Sequence, residues 1–236
     1  MRLDNYLVDA KLAMSRTKAQ ELIKNELVKV NDIVVKKSAF KLDKDDNVEI
    51  EKYDKYVSRS AHKLKGFLQE LDFDAKGLVC LDIGSSTGGF TQVLLEYDAK
   101  EVTAVDVGSH QLHNILKDDA KVYSYENTDI REFKSEKVFD LVVSDVAFIS
   151  LLKILDAVDF LANDKIILLF KPQFEVGRDA KRDKHGVVLD AKAIDNAMQK
   201  FERVCDAKRW KLIKKSPSTL TGKEGNLEYC YCYEKN

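Results

Sequence analysis

The 236-residue chain is poor in proline, with two, and it carries one tryptophan and four cysteines. So few prolines exclude a Pro-rich linker or stalk. No long apolar run is present: the strongest, Ile166 to Phe170, is far too short to span a bilayer. The opening MRLDNYLVDAKL lacks the apolar core of a secretion signal. The cysteines (Cys80, Cys205, Cys230 and Cys232) match no zinc spacing, and without a secretion signal they read as free thiols used as small apolar residues. His62, His110, His113 and His185 show no ligand spacing either, so no metal is expected. Net charge is nearly absent, at −1, and any case for a nucleic-acid partner must come from local clusters. What these absences leave is a globular cytoplasmic protein with no membrane partner, for which a monomer is the default.

Residues 1–50 have their own pattern. Arg16 to Ile23 reads as a helix, with Thr17 and Gln20 spaced as a capping box. Two alternating runs, LVKV and IVV, flank Asn31-Asp32, a pair that tolerates the left-handed conformation and so suits a hairpin turn. Residues 1–41 hold nine Lys or Arg against five acids. RLDNYL, SRTKAQELI and VKVND together resemble the S4 RNA-binding module, with Glu26 and Asp32 standing where that module usually has glycine. The resemblance makes Arg2, Arg16, Lys18 and Lys24 candidate RNA contacts; the plainer reading is a small capping subdomain with solvated lysines. Residues 51–57, EKYDKYV, read as a linker, and 58–236 as the second domain.

From Leu78 the rhythm changes. LVCLDI, VTAVDV, FDLVVSD and KIILLF recur, separated by helix-compatible stretches, which predicts an α/β fold built on a Rossmann-like parallel sheet. LEYCYCY (227–233) alternates and is expected as an antiparallel strand near the sheet edge. The first of these strands runs into LDIGSSTGGF (81–90). A P-loop would need Gly-Lys-Ser/Thr, but Phe90 follows Gly89; a dinucleotide loop needs G-x-G-x-x-G, but the glycines are Gly84, Gly88 and Gly89. A third ligand, S-adenosylmethionine, carries no phosphate and asks only for close backbone approach, which Gly84, Ser85, Ser86, Thr87, Gly88, Gly89 and Phe90 allow. Asp106, closing the next strand, can accept from both ribose hydroxyls, though it would suit NAD as well. Asp129 could meet an adenine amino group or equally cap a helix. A tight turn with no ligand is the plain alternative for the whole loop.

Asp145 and Lys171 end two further strands and belong to the same carboxyl edge. Taking an ammonium out of water disfavours its charged form, a cost that nearby carboxylates offset and that a general base exploits. An ordinary ion pair explains the same spacing. Lys63 in SRSAHKL, Asp145 in SD, Lys171 in FKP and Glu228 in GNLEY resemble the Lys-Asp-Lys-Glu set of the FtsJ-type ribose 2′-O-methyltransferases. This family often has proline at the place of Thr87 and tryptophan at that of Phe90. An S4-like module ahead of such a domain resembles the TlyA family, ribosomal RNA cytidine 2′-O-methyltransferases whose members are also called haemolysins. The resemblance covers nearly the whole chain. It implies S-adenosylmethionine as cofactor, with Asp145 also beside it, Lys171 as base, Asp145 and Glu228 as orienting groups, and Lys63 as a fixed cation. It also implies ribosomal RNA or a ribosomal subunit as partner, the large (23S) subunit being favoured for a chain with short ends.

Basic runs flank the proposed catalytic residues: Lys208 to Lys215 with Lys223, and Arg178 to Lys184. With Arg59, they make Arg178, Arg182, Lys211 and Lys214 candidate phosphate contacts, although charge runs are usually solvated faces. Trp210 could stack on a base but is more often a core anchor. Two rivals remain: a base methyltransferase on the same fold, for which SDVAFIS lacks the usual Pro-Pro-Tyr type motif, and a non-catalytic ribosome-binding or assembly factor, which would have no use for the four charged residues together.

Overall fold

The computed structural model describes residues 1–24, 26–50 and 56–235, and the chain divides into two compact units, Met1–Val57 and Ser58–Asn236. Five of the seven residues expected as a linker, 51–55, lie outside the described residues.

The first unit packs α1 (Leu3–Asp9) and α2 (Arg16–Lys24) on a three-stranded sheet in the order β2-β1-β3, formed by β1 (Val28–Val30), β2 (Ile33–Val34) and β3 (Val48–Ile50). Its core is Leu3, Leu7, Ala19, Leu22, Ile23, Val28 and Val30. Each such side chain contributes roughly 1.5–3 kcal/mol when fully buried. The hairpin turn is as expected: Asn31 (φ 50°) and Asp32 (φ 65°) are both left-handed, so the loop twists with its strands. Glu26 (φ 63°) is left-handed too, so both positions where the S4 pattern has glycine keep the glycine-like backbone. The helix start differs from expectation. Ser15, not Thr17, caps α2, its Oγ accepting from Lys18 N at 3.2 Å, while the Gln20 amide donates to Asp4 at 3.0 Å.

The second unit begins with α3 (Ser60–Leu71) and continues β4 (Val79–Ile83), α4 (Gly89–Glu96), β5 (Glu101–Val105), α5 (Asn114–Lys117) and β6 (Val122–Tyr125). Then follow β7 (Phe139–Ser144), α6 (Leu155–Leu161), β8 (Ala162–Phe170), α7 (Pro172–Glu175), α8 (Ala191–Ala207), β9 (Trp210–Pro217) and β10 (Tyr229–Lys235). The seven strands lie in the order β6-β5-β4-β7-β8-β10-β9, parallel through β8, with β10 antiparallel to both its neighbours. Strands β4 and β7 are almost wholly buried, which is why they read as unbroken Val, Ile and Leu.

The chain winds to one side of β4 and then to the other, so the switch point lies between β4 and β7. Ligands of open α/β sheets bind beyond the carboxyl ends of the strands at such a point. The C-terminal strand is antiparallel and next to the sheet edge, as expected; the edge itself is β9, whose KLIKK stretch reads in the sequence as a basic cluster. Lysines on an exposed edge strand discourage pairing with another chain, and β9 places Lys211, Lys214 and Lys215 there.

Trp210 is a core anchor, buried against Tyr233 with its indole N–H donating to Asp159 at 2.8 Å. All four cysteines are free and buried, and burial pushes each thiol up to about 12. Among the described residues, no helix is long and apolar enough to cross a membrane.

Candidate active site

The loop after β4 is shaped by three backbone turns. Gly84 is left-handed, and a side chain there would come within 3.1 Å of the Val146 Cα. Ser86 (φ 48°) and Gly88 (φ 97°) turn the chain into α4. The Asp106 carboxylate, just past β5, accepts from Ser86 N at 2.8 Å and Gly108 N at 2.7 Å, tying two loops at the switch point together. Beneath them lies Asp82, which sequence reading passed over. It is fully buried, with Oδ2 accepting from the Thr91 amide (2.9 Å) and hydroxyl (2.7 Å) and Oδ1 without a partner. Burial pushes its carboxyl up to about 7, against the Thr91 hydrogen bonds and with help from the charges of Asp145 and Asp106.

Two clefts meet over this loop. One, about 470 Å³, is lined by Gly84, Ser86, Asp106 and Asp129, with Val107, Ile130 and Ile149 as apolar walls. The other, about 450 Å³, is lined by Ser85, Thr87, Phe90, Lys63, Lys171 and Lys223 among others. Gly84, Ser86, Asp145 and Ala147 belong to both. Each volume falls within the roughly 300–1,000 Å³ of small-ligand sites. Asp129 stands at the first cleft, where Arg131 grips it with both side-chain and backbone donors and holds its carboxyl below the usual range. Gly88 and Gly89 serve packing. Leu112 and Leu116 press on Gly88, and at Gly89 a Cβ would fall 2.2 and 2.3 Å from the Ser58 and Ser60 hydroxyls. Glycine at 89 thus lets the start of α3 lie on the loop, which brings Lys63 into the second cleft.

Four charges alternate on the lip. Lys63 Nζ on α3 lies 2.6 Å from Glu228 Oε2, just before β10. Lys171 Nζ, just after β8, lies 2.6 Å from Asp145 Oδ1, just after β7, at an angle that makes the contact an ion pair rather than an aligned hydrogen bond; it also donates to the Asp145 carbonyl at 3.4 Å. Lys63, Lys171 and Glu228 are 7, 9 and 2% exposed. Burial raises the Asp145 carboxyl, opposed by Lys171 and then Lys63. Two cations and two anions so close keep the buried charge balanced, without which the desolvation cost would be several kcal/mol per ion. Gln173, also absent from the sequence reading, donates to Glu228 Oε1 at 3.0 Å.

The predicted RNA contacts separate into three groups. Arg2 and Arg16 meet over the buried Asp4, which holds both at 2.9–3.0 Å, and Lys18 pairs with Glu21 on the same helix while Lys24 lies at its exposed end. Arg59 lines the second cleft and donates to the Thr221 carbonyl at 3.2 Å. The remainder fare differently. Arg182 spends its guanidinium on the carbonyls of Gln173, Gly177, Arg178 and Ala180, so it braces the loop that carries the exposed Arg178. Lys214 reaches Glu70, and Lys211 pairs with Glu234, which sits opposite Lys165 near the start of β8, at the end of the sheet away from the clefts. The sequence run containing Lys211 flanks the proposed catalytic residues Lys171 and Glu228; strand direction puts Lys211 on the far side.

A parallel sheet in this order, with a small-residue loop at its switch point and four alternating charges on its lip, defines a Rossmann-like methyltransferase. The FtsJ-like methyltransferase family matches residues 56–235 and the S4 domain residues 1–48. Over its whole length the chain is 48% identical to the 23S rRNA (cytidine-2′-O)-methyltransferase TlyA of Campylobacter jejuni, all of which is covered. Over 97% of its length it is 37% identical both to hemolysin A of Brachyspira hyodysenteriae and to the 16S/23S rRNA (cytidine-2′-O)-methyltransferase TlyA of Mycobacterium tuberculosis, covering 98% and 87% of those chains. A solved Streptococcus thermophilus protein carrying a hemolysin label superposes with a TM-score of 0.74 at 30% identity, covering all of this chain and 88% of that one. The chain belongs to the TlyA family of FtsJ-like methyltransferases.

Proposed function

We propose that the protein methylates the ribose 2′-hydroxyl of a cytidine in ribosomal RNA, with the large subunit as the favoured substrate, and that it works as a cytoplasmic monomer. The observation that carries this reading is the doubly paired lip: Lys63–Glu228 and Lys171–Asp145, each at 2.6 Å, around a cleft that adjoins the glycine loop.

The residues at the switch point fit S-adenosylmethionine. The first cleft offers carboxylates at Asp106 and Asp129 for hydroxyl and amino donors and apolar walls for a purine. The loop from Gly84 to Thr87 offers small residues toward the shared floor. When bound, the cofactor supplies a methyl group on a sulfonium, already activated for transfer. The protein's part is to hold the ribose and manage one proton. Lys171 Nζ, after giving up its own proton to solvent, accepts the proton of the 2′-hydroxyl, and Asp145, its ion-pair partner beforehand, aims that amine. Lys63, fixed by Glu228, stays cationic and polarises the same hydroxyl. Holding the reacting groups in line supplies a large share of the barrier reduction. On the RNA side, Arg2, Arg16, Lys18 and Lys24 of the first unit, and Arg59, Lys223 and Arg178 of the second, are suited to phosphates, which fix position without reading sequence.

The test is methyl transfer from labelled S-adenosylmethionine to small subunits, large subunits and naked ribosomal RNA, followed by alkaline hydrolysis. A methylated 2′-oxygen cannot attack its phosphate, so one missing rung in the ladder is expected. Label in a base with a complete ladder would overturn the ribose chemistry, and no transfer to any substrate would overturn catalysis.

A further inference from the structure

Beyond the four charged residues the lip holds a neutral one. Gln173 Nε2 donates to Glu228 Oε1 at 3.0 Å, while the other carboxylate oxygen takes the Lys63 ammonium at 2.6 Å. Glu228 is thereby fully engaged, one oxygen to a charge and one to an amide. Its surroundings leave no slack on the Gln173 side: at Gly222 a Cβ would stand 2.6 Å from the same Oε1. A side chain there would push that oxygen from its present place.

The position of Gln173 in the chain matters as much as its bond. Lys171 follows β8 directly, Pro172 opens α7 with its fixed φ, and Gln173 is the next residue. One rigid turn therefore carries Lys171 toward Asp145 and Gln173 toward Glu228. It is a direct link between the two ion pairs, whose other members lie on α3, just after β7 and just before β10. The Gln173 Oε1 is buried without a partner, so the side chain forgoes an acceptor's hydrogen bonds to keep this orientation.

We infer that Gln173 is a positioning residue of the methyl-transfer site: it fixes the rotamer of Glu228, and through Glu228 the Lys63 ammonium, in register with Lys171. The inference rests on the proposed ribose methylation. Gln173 acts through Glu228 rather than on substrate, so its removal lowers turnover and leaves the affinities for cofactor and RNA alone.

Gln173→Met keeps length and volume and removes the donor; Gln173→Glu keeps the shape and replaces the donor by a titratable oxygen. In the second variant two carboxylates face each other, with Lys63, Lys171 and Asp145 as the surrounding charges. A proton shared between them restores the hydrogen bond at the acid end of the pH range, and its loss at higher pH drives them apart. Turnover of Gln173→Met is expected to fall by about tenfold or more, with KM for both substrates within about twofold of wild type and the same deficit at every pH. Relative to wild type, Gln173→Glu is expected to be best at low pH and to worsen as pH rises. Wild-type turnover by Gln173→Met, or a deficit that tracks a fall in melting temperature and a rise in both KM values, would overturn the positioning role while leaving the functional reading intact. A wild-type protein that transfers no methyl to ribosomal RNA would overturn both.

Discussion

Lys63 and Glu228 are 165 positions apart in the chain and meet at 2.6 Å, with 9 and 2% of their side chains exposed. The pair joins the first helix of the second unit, whose Lys63 lines the second cleft, to the approach of its last strand. Replacing one partner leaves the other charge buried without its counterion. Glu228→Gln or Lys63→Met should therefore destabilise the second unit by roughly 3–5 kcal/mol, as breaking buried pairs does. The double variant Lys63→Met/Glu228→Leu should regain most of that stability and none of the methyl transfer. Chemical denaturation beside turnover separates the two effects, and activity in the double variant would count against the assigned roles.

Lys171→Ala removes the proposed base. Turnover should fall by about 10²–10⁴-fold, while binding of S-adenosylmethionine, followed by calorimetry, should persist. Near-normal transfer with intact binding would remove Lys171 from the mechanism.

Asp82 makes stability depend on pH in a direction opposite to a salt-bridged acid. Below about pH 4 its carboxyl is protonated whether the chain is folded or not. Between about 4 and 7 the unfolded chain releases the proton and the folded protein, with its carboxyl pushed up to about 7, retains it. Stability is therefore lost as pH rises through this window and the loss is complete above it. Asp82→Asn keeps an acceptor for Thr91 and has no charge to bury. Its advantage over wild type should be small near pH 4, grow toward roughly 4 kcal/mol by pH 7 and then level off. Denaturation series at pH 4–8 measure this directly; a constant difference would contradict it.

Gly89→Ala would put a methyl group against the hydroxyls of Ser58 and Ser60 and the amide of Ala61. The two hydroxyls must turn away and the backbone at Ala61, two residues before Lys63, must give by a few tenths of an ångström. A displacement on the order of 1 Å at a reacting group costs about a hundredfold in rate, so this smaller shift should cost less. Turnover should drop by up to about tenfold with the S4-like unit's RNA affinity unchanged.

Arg59→Ala should weaken RNA binding and reduce the dependence of log K on log salt by about one phosphate contact. Lys211→Ala, on the strand end away from the clefts, should change neither. Equal effects from the two would mean that RNA also reaches the β9 edge.

Much of this arrangement is legible in the chain itself. The glycine loop, Asp145 and Lys171 declare themselves because each follows directly on a run of apolar residues, and a parallel sheet brings all its carboxyl ends to one edge. Lys63 and Glu228 have no such signal; only the resemblance to a known family singles them out. Strand β9 is illegible for a physical reason: an edge strand guarded by lysines looks like a basic surface run. Ser15 is missed as a cap because Thr17 and Gln20 match the capping pattern two residues on, yet Gln20 is needed at Asp4. Gln173 and Asp82 are uncharged or buried partners whose worth lies in what they hold.

Strand β9 touches the sheet only through β10, which lies between it and β8. Until residues 229–235 are in place β9 has no strand to pair with, and only side chains such as Trp210, Lys214 and Lys215 tie it to Asp159, Glu70 and Glu202. The same late segment brings Glu228. Completion of the sheet and arming of the active site are thus one event, and a chain cut short before residue 228 has neither.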